Sequence, residues 1–405
     1  MKLPAGWRKL PLAERRAYLA ERYESARTFF RSCAGIIGAD GAKLVADAEG
    51  AAGAAPITAA DAVADRMIEN AIGCYPVPLG LVPGLLVDGT EYAVPVATEE
   101  ASVIAAASFS ARVIAASGGF STGATPPVMT AQVFVGELPD GNLAAALEAR
   151  RSELIAAASG PLASMAERGG GFRFLEIAPV PEAPFVRIDV GVDVRDAMGA
   201  NLLNSCAEAV AAAVEAIVGT RPLMSIVSNG ATFRRARSKF ELPFAALSRA
   251  AGLDGAEVAE RIVAAGLVAR RDRERAVTHN KGIMNGVTGL ALATGNDSRA
   301  VEAAAHAWAS RGGAYQPLSA YAVEGAVLHG EIELPVPLAA VGGGVGVNPG
   351  SSFALDLLGR PDAQLLGRIA ASLGLAQNFA ALLALTTEGI QRGHMRLHGR
   401  REAPR

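Results

Sequence analysis

The sequence predicts an α+β fold with a compact inserted unit and no Rossmann turn. Three observations carry that expectation. Between Val128 and Val227 the text reads strand, helix, strand, strand, helix, strand, which is not a run of parallel βαβ units. A polar break rich in glycine and proline, Gly118 to Pro127, precedes it. The chain holds 45 glycines, yet no phosphate-binding fingerprint appears. Gly342-Gly343-Gly344-Val345-Gly346 lacks the spacing of a dinucleotide fold, and the run from Gly35 to Lys43 lacks that of a P-loop.

Residues 8–31 carry Arg, Glu and Leu at helical spacing, and a second helical stretch covers about 57–70; both read as surface helices. From Gly73 to Pro95 short apolar runs surround Val87-Asp88-Gly89-Thr90, which predicts a hairpin. Thr98 then opens a helix with Glu99 and Glu100 in its first turn, where the macrodipole favours negative charge, continuing to Ala116. Next come a strand over 128–135, a helix over about 141–158, strands over 172–178 and 184–193, a helix over about 198–217 and a strand over 223–227. Residues 233–270 read as helix and loop, followed by a helix from Ser298 to about Ser310, strands near 326–338, and helices from Pro361 and from Leu373. The expected division is a discontinuous large unit (1–120 and 232–378), a small unit (121–231) and a C-terminal segment (379–405).

Of the 405 residues 51% are hydrophobic, largely alanine, and no uninterrupted apolar run approaches the roughly 18 residues of a membrane span. The N-terminus lacks the apolar core of a signal peptide, so no membrane and a cytoplasmic location are expected. Thirty-eight basic residues oppose 40 acidic ones and aromatics are 5%, which argues against a nucleic-acid partner. Cys33, Cys74 and Cys206 are odd in number and far apart, which predicts reduced, core-type thiols and no metal cluster.

Lys281 lies between Asn280 and Gly282 and reads as leaving a tight polar turn. Asp297 follows Leu292-Ala293-Thr294-Gly295-Asn296, just before a helical pattern. A cation and a carboxylate on two such turns can converge on one pocket. Asp196-Ala197-Met198-Gly199-Ala200-Asn201 puts small residues at a helix opening, where free N–H groups can receive a pyrophosphate; alone it reads first as a helix start packed on a strand. His394 and His398 are four apart, but no glutamate follows the first and no further ligands cluster nearby. His394 instead reads as a single general acid, or, taken alone, as a surface histidine. Glu99-Glu100 alone is a solvated helix start.

Together, Glu69-Asn70-Ala71-Ile72-Gly73, Pro95 to Glu100, Asp196 to Asn201, Thr278 to Gly286, Ala293 to Asp297 and Glu388 to Met395 resemble 3-hydroxy-3-methylglutaryl-CoA reductase of the class II bacterial type, over about residues 60–400. The resemblance implies interconversion of hydroxymethylglutaryl-CoA (HMG-CoA) and mevalonate plus coenzyme A by two hydride transfers, with NADH or NADPH and no metal. It implies catalytic residues Glu100, Lys281, Asp297 and His394. It implies substrate contacts from Glu69, Ser102, Arg275 and Asn285. Dinucleotide contacts would come from Asp196, Met198, Gly199, Asn201 and Asn229 on a small ferredoxin-like domain. Lys281 would polarise the carbonyl oxygen, Glu100 protonate it, Asp297 hold Lys281 charged, and His394 protonate the departing thiolate. The family's dimeric site implies at least a homodimer. Class II enzymes usually continue for some tens of residues past this histidine, whereas this sequence ends at Arg405, so a shortened flap is expected. The alternative is a homologue that binds acyl-CoA or dinucleotide with little turnover.

Overall fold

In the computed structural model the described residues are 3–4, 6–7, 10, 12–27, 64–70, 74–136, 142–345, 348–387 and 389. His394, His398 and Cys33 lie outside them. Helix α1 (Leu12–Arg22) packs Leu19 with Trp7, Phe353 and Leu357. The expected hairpin forms from β1 (Leu79–Val87) and β2 (Thr90–Ala97), paired antiparallel across Asp88-Gly89. Helix α2 (Val103–Ala115) starts later than its text suggests. Thr98 turns its hydroxyl to the Glu100 N–H (3.2 Å), a local bond that competes with helix formation, and Ser102 is left-handed at φ +85°. Residues 98–102 therefore form a connection that lifts Glu100 off the helix.

The small unit follows the predicted order. After β3 (Ser121–Ala124) come β4 (Val128–Gly136), α3 (Leu143–Ala149), α4 (Arg151–Ser159), α5 (Ala163–Glu167), β5 (Gly171–Pro179), β6 (Phe185–Asp193), α6 (Ala200–Val218) and β7 (Met224–Ser228). The helix expected over 141–158 is broken at Arg150, whose φ/ψ of −112°/18° is not helical. Strands β5-β6-β4-β7 form one antiparallel sheet. Alternate residues of β4, Ala131, Val133 and Val135, share a core with Leu147, Leu154, Leu203 and Val210 from the helices. Cys206 is buried there; burial pushes its thiol up to about 11, and its Sγ donates to the Ala158 carbonyl.

The larger unit resumes with β8 (Arg235–Pro243), α7 (Phe244–Ala251), α8 (Gly255–Arg271), α9 (Arg273–Ala293), α10 (Ser298–Ala309), β9 (Ser319–Glu324), β10 (Val327–Pro335), α11 (Pro349–Leu357) and α12 (Ala363–Thr386). Strand β8 corrects the reading of 233–270 as helix and loop. Its Arg-Ala-Arg-Ser-Lys-Phe-Glu-Leu alternation is that of a strand with one wet face, and its even positions are buried. β8 is central in the antiparallel sheet β3-β8-β10-β9, so β3, which a boundary at 121 assigns to the small unit, pairs with the large one. The two helices expected near the end are one continuous α12, buried at almost every position from Leu366 to Phe379. α6 and α12 are long and apolar enough to cross a membrane by length and composition. α12 is apolar on all sides because it runs through the core, and α6 lays one face on the small sheet.

Helix α9 packs against β2 and α12, and glycine makes the first contact possible. A Cβ at Gly289 would lie 2.5 Å from Val96 Cγ1 and 3.2 Å from the Ala97 carbonyl, whereas one at Gly282 meets nothing within 4 Å. Gly289→Ala should destabilise by about 1–3 kcal/mol through overpacking. Gly282→Ala should stabilise by about 0.5–1 kcal/mol through helix propensity. Guanidinium unfolding of the two variants checks this; shifts of the same sign would contradict the packing.

Candidate active site

The Asn-Lys-Gly text that reads as a turn is helical. Asp272 caps α9 by accepting from the Arg275 N–H at 2.7 Å, and the helix continues through Lys281 and Gly282. It survives there because the polar residues beside Lys281 point inward and find partners. Asn280 donates to the Gln316 carbonyl and accepts from the Leu318 N–H, both at 2.9 Å. Ser319 and Tyr321 both donate to Asn378 Oδ1 on α12. With the Ser319 proton committed, His279 donates through Nε2 to Ser319 Oγ at 2.7 Å. Burial, aided by the Arg275 charge, pushes His279 down to about 4, so it is neutral and structural.

With one face anchored, the other presents Lys281. Its Nζ donates to Glu100 Oε2 at 2.8 Å. Asn285, one turn on, lines the same cleft of about 190 Å³ with Thr288, Glu302 and His306. Glu100 also lines a second cleft of about 430 Å³, with Arg15, Ser102 and Ser108. It thus stands between the two spaces. Ser102 heads α2 in a left-handed conformation without a side-chain cap bond, which leaves its hydroxyl for a ligand. Arg275 is half-buried in the first turn of α9, and burial lowers its pKa. Glu69 is exposed in a turn within 64–70. A cavity of about 710 Å³ lies over the β8–β10 face and is lined by none of the expected residues.

Asp297 does not join this pair within one chain. It caps α10, accepting from the Arg299 and Ala300 N–H groups at 3.0 and 3.1 Å. α9 and α10 form a helical hairpin in which Thr288 donates to Glu302. Lys281 precedes the helix end at Ala293 by twelve residues, roughly 18 Å along the axis. Asp297 lies beyond that end, beside the expected dinucleotide turn. Its neighbour Asn296 accepts from the Ala339 N–H at 2.6 Å, and the next residue, Ala340, donates to the Asp196 carbonyl at 2.8 Å.

That turn is held firmly. Asp196 Oδ1 accepts from the Ala363 N–H at the start of α12, so its carboxylate is engaged as a cap. Arg234, buried, donates to the Ala197 and Leu338 carbonyls. Burial pushes Arg234 down to about 10 against the opposing charges of Asp196 and Asp193. Gly199 heads α6 at φ +85°, a side chain there would meet Val194 Cγ1 at 2.4 Å, and no side chain caps the helix. Close packing on the strand and an N-terminus open to an anion are therefore both present, and the turn fits a pyrophosphate. Met198 is half-buried, while Asn201 and, just after β7, Asn229 are exposed.

Sequence reasoning missed Arg234, Glu302 and His306. The last two carried a signal, the i,i+4 spacing of Glu302 and His306 on the helix that Asp297 opens.

Comparison with known proteins places these features in a family. The profile described as hydroxymethylglutaryl-coenzyme A reductase matches residues 44–399. The chain is 46% identical over 343 residues to the 3-hydroxy-3-methylglutaryl-coenzyme A reductase of Archaeoglobus fulgidus, covering 84% of this chain and 77% of that one. It is 38% identical over 339 residues to a probable reductase of Borreliella burgdorferi, covering 82% and 76%. Its fold is similar, at TM-score 0.83 and 38% identity, to the class II reductase of Streptococcus pneumoniae bound to NADPH in open conformations, covering 95% of this chain and 99% of that one.

The inward anchor of α9 makes stability depend on acidity. His279 has a folded pKa of about 4 against 6.5 for the free group, so the unfolded chain binds its proton first. The contribution is complete above pH 6.5 and falls, by about 3 kcal/mol, as pH drops to 4. His279→Gln should be less stable at neutral pH yet lose less between pH 6.5 and 4; denaturant midpoints that fall in parallel for both proteins would contradict this.

Proposed function

The chain belongs to the hydroxymethylglutaryl-coenzyme A reductase family of NAD(P)H-dependent oxidoreductases, and we propose that it reduces HMG-CoA to mevalonate and coenzyme A with Glu100 and Lys281 at the reacting carbonyl. The observation that carries the reading is the 2.8 Å contact between Lys281 Nζ and Glu100 Oε2 on the wall between two clefts. A thioester carbonyl set between them meets a fixed cation on its oxygen, so negative charge developing there is stabilised without a metal. Glu100, when protonated, gives its proton to that oxygen once the aldehyde is reduced. The guanidinium of Arg275 suits the substrate's free carboxylate, and Ser102 and Asn285 offer hydroxyl and amide groups to its polar atoms. His394, in the segment 379–405, is the proposed acid for the departing thiolate, and Glu69 begins the loop proposed to flank the acyl-CoA.

NADH or NADPH supplies the hydride when bound. The small unit's βαββαβ order, with strands β5-β6-β4-β7, supports a ferredoxin-like dinucleotide domain. The first turn of α6, opened by Gly199, offers N–H groups to the pyrophosphate, with Asp196, Met198, Asn201 and Asn229 around it. The NADPH named for the Streptococcus pneumoniae reductase supports the same assignment. Each chain thus carries one half-site of Glu100, Lys281 and Asn285 and another of Asp297 and the dinucleotide turn. The separation of roughly 18 Å between Lys281 and the helix end supports a homodimer in which each copy lends Asp297 to the other's pair.

Loss of NADH or NADPH absorbance on adding HMG-CoA tests the reading. The wild-type protein should turn over, and Lys281→Ala should lose roughly 100- to 1,000-fold or more in kcat with its fold intact. Ligand binding without turnover in the wild-type protein would contradict the reading, as would an undiminished rate in the variant.

A further inference from the structure

The reduction to mevalonate consumes protons as well as hydrides, and this sets a requirement that the Glu100–Lys281 pair alone does not meet. Each time Glu100 protonates an alkoxide it is left as a carboxylate beside Lys281, the form that their 2.8 Å contact suits. It must regain a proton from outside. The wall of its own cleft holds a continuous hydrogen-bonded chain that reaches outward. Tyr315 Oη contacts His306 Nδ1 at 2.7 Å, His306 Nε2 contacts Glu302 Oε2 at 3.0 Å, and Glu302 Oε1 accepts from Thr288. Thr288, Glu302 and His306 line the cleft with Glu100 and Lys281, while the half-buried Tyr315, past the end of α10, stacks on the imidazole.

The groups around this chain come from several elements. Glu302 is on the same helix as His306, and Lys281 and Thr288 come from α9. Glu99 and Glu100 come from the connection after β2, and Tyr315 from the segment before β9. Histidine is the side chain suited to carry a proton near neutral pH. Among the described residues of the cleft, His306 is the histidine present, since His279 is buried on the other face of α9.

We propose that Tyr315, His306 and Glu302 form a proton relay that recharges Glu100 after it has protonated the substrate oxygen. The inference rests on the reductase reading above. The proton rests on His306 and passes through Nε2 to Glu302 Oε2, then across the cleft to the Glu100 carboxylate. As Nε2 gives up its proton, Nδ1 takes one from the Tyr315 hydroxyl, which takes one from solvent; the ring then regains an Nε2 proton from water in the cleft and returns the Nδ1 proton through Tyr315, which restores the starting tautomer. One proton enters and one leaves, and no electrons move. Although burial opposes it, the hydrogen bonds from His306 and Thr288 hold Glu302 below the usual carboxylate range, so it carries the proton only in transit. Its resting carboxylate keeps the imidazole oriented.

The test is the kcat–pH profile of His306→Gln in the full-length protein, with added imidazole, beside the wild type. Glutamine keeps polar contacts to Glu302 and Tyr315 but carries no proton. The expected result is a fall in kcat of roughly 10- to 100-fold with KM for HMG-CoA within about twofold, and recovery of rate as imidazole is raised. Glu302→Gln should show the same loss with weaker rescue. An unchanged kcat and pH profile in His306→Gln would overturn the relay, as would a loss that no concentration of imidazole restores. A wild-type protein that fails to turn over would instead overturn the reductase reading.

Discussion

Everything at the candidate site depends on how closely α9 lies against β2. The strand leads directly into the connection that carries Glu100, and the helix carries Lys281, so their separation sets the distance between carboxylate and ammonium. The bare backbone of Gly289 against Val96 and the Ala97 carbonyl closes that gap. On the inner side, His279 and Asn280 tie α9 to the segment running into β9, and through Ser319 and Asn378 to the central α12. The face that carries Lys281 is therefore positioned from behind, by a buried hydrogen-bonded network in a close-packed core.

The pair that this scaffold holds adds little to stability. Side-chain exposure of 62% for Lys281 and 37% for Glu100 leaves it well hydrated, where an ion pair contributes at most about 1 kcal/mol. Its proposed value is chemical. Excluding water from the cleft strengthens the field of Lys281 on a carbonyl oxygen. A second copy bringing Asp297 and the dinucleotide turn across the cleft would supply that exclusion together with the reductant. In the proposed dimer, catalysis and assembly would be one requirement, met by half-sites at Lys281 and at the turn that joins α9 and α10.

The sequence revealed the small unit well because its strands and helices alternate locally and its apolar periodicity switches cleanly from two to 3.6 residues. β8 escaped because Arg235, Arg237 and Lys239 read as a solvated segment until β3 and β10 are seen on either side of it. The helical state of Lys281 escaped for a related reason. Asn280 and His279 look like turn residues locally, and their partners lie 36 to 40 residues away. The dinucleotide turn was legible as a helix start packed on a strand, since Gly199 and its small neighbours state that geometry directly. The Glu100–Lys281 contact was not: 181 residues separate the pair, and the expectation of it came from the family resemblance, while nothing local set Glu302 and His306 on the same cleft.

In the proposed dimer, a working site takes Glu100 and Lys281 from one copy and Asp297 from another. Mixing Lys281→Ala and Asp297→Ala proteins under subunit exchange measures this directly. Each variant alone should be nearly inactive. Mixed dimers pair one doubly defective site with one intact site, so an equimolar mixture should recover about a quarter of wild-type activity, given that half of closed two-fold dimers are mixed. A mixture that stays as inactive as its components, with exchange verified, would place all three residues in one chain's site and contradict the account.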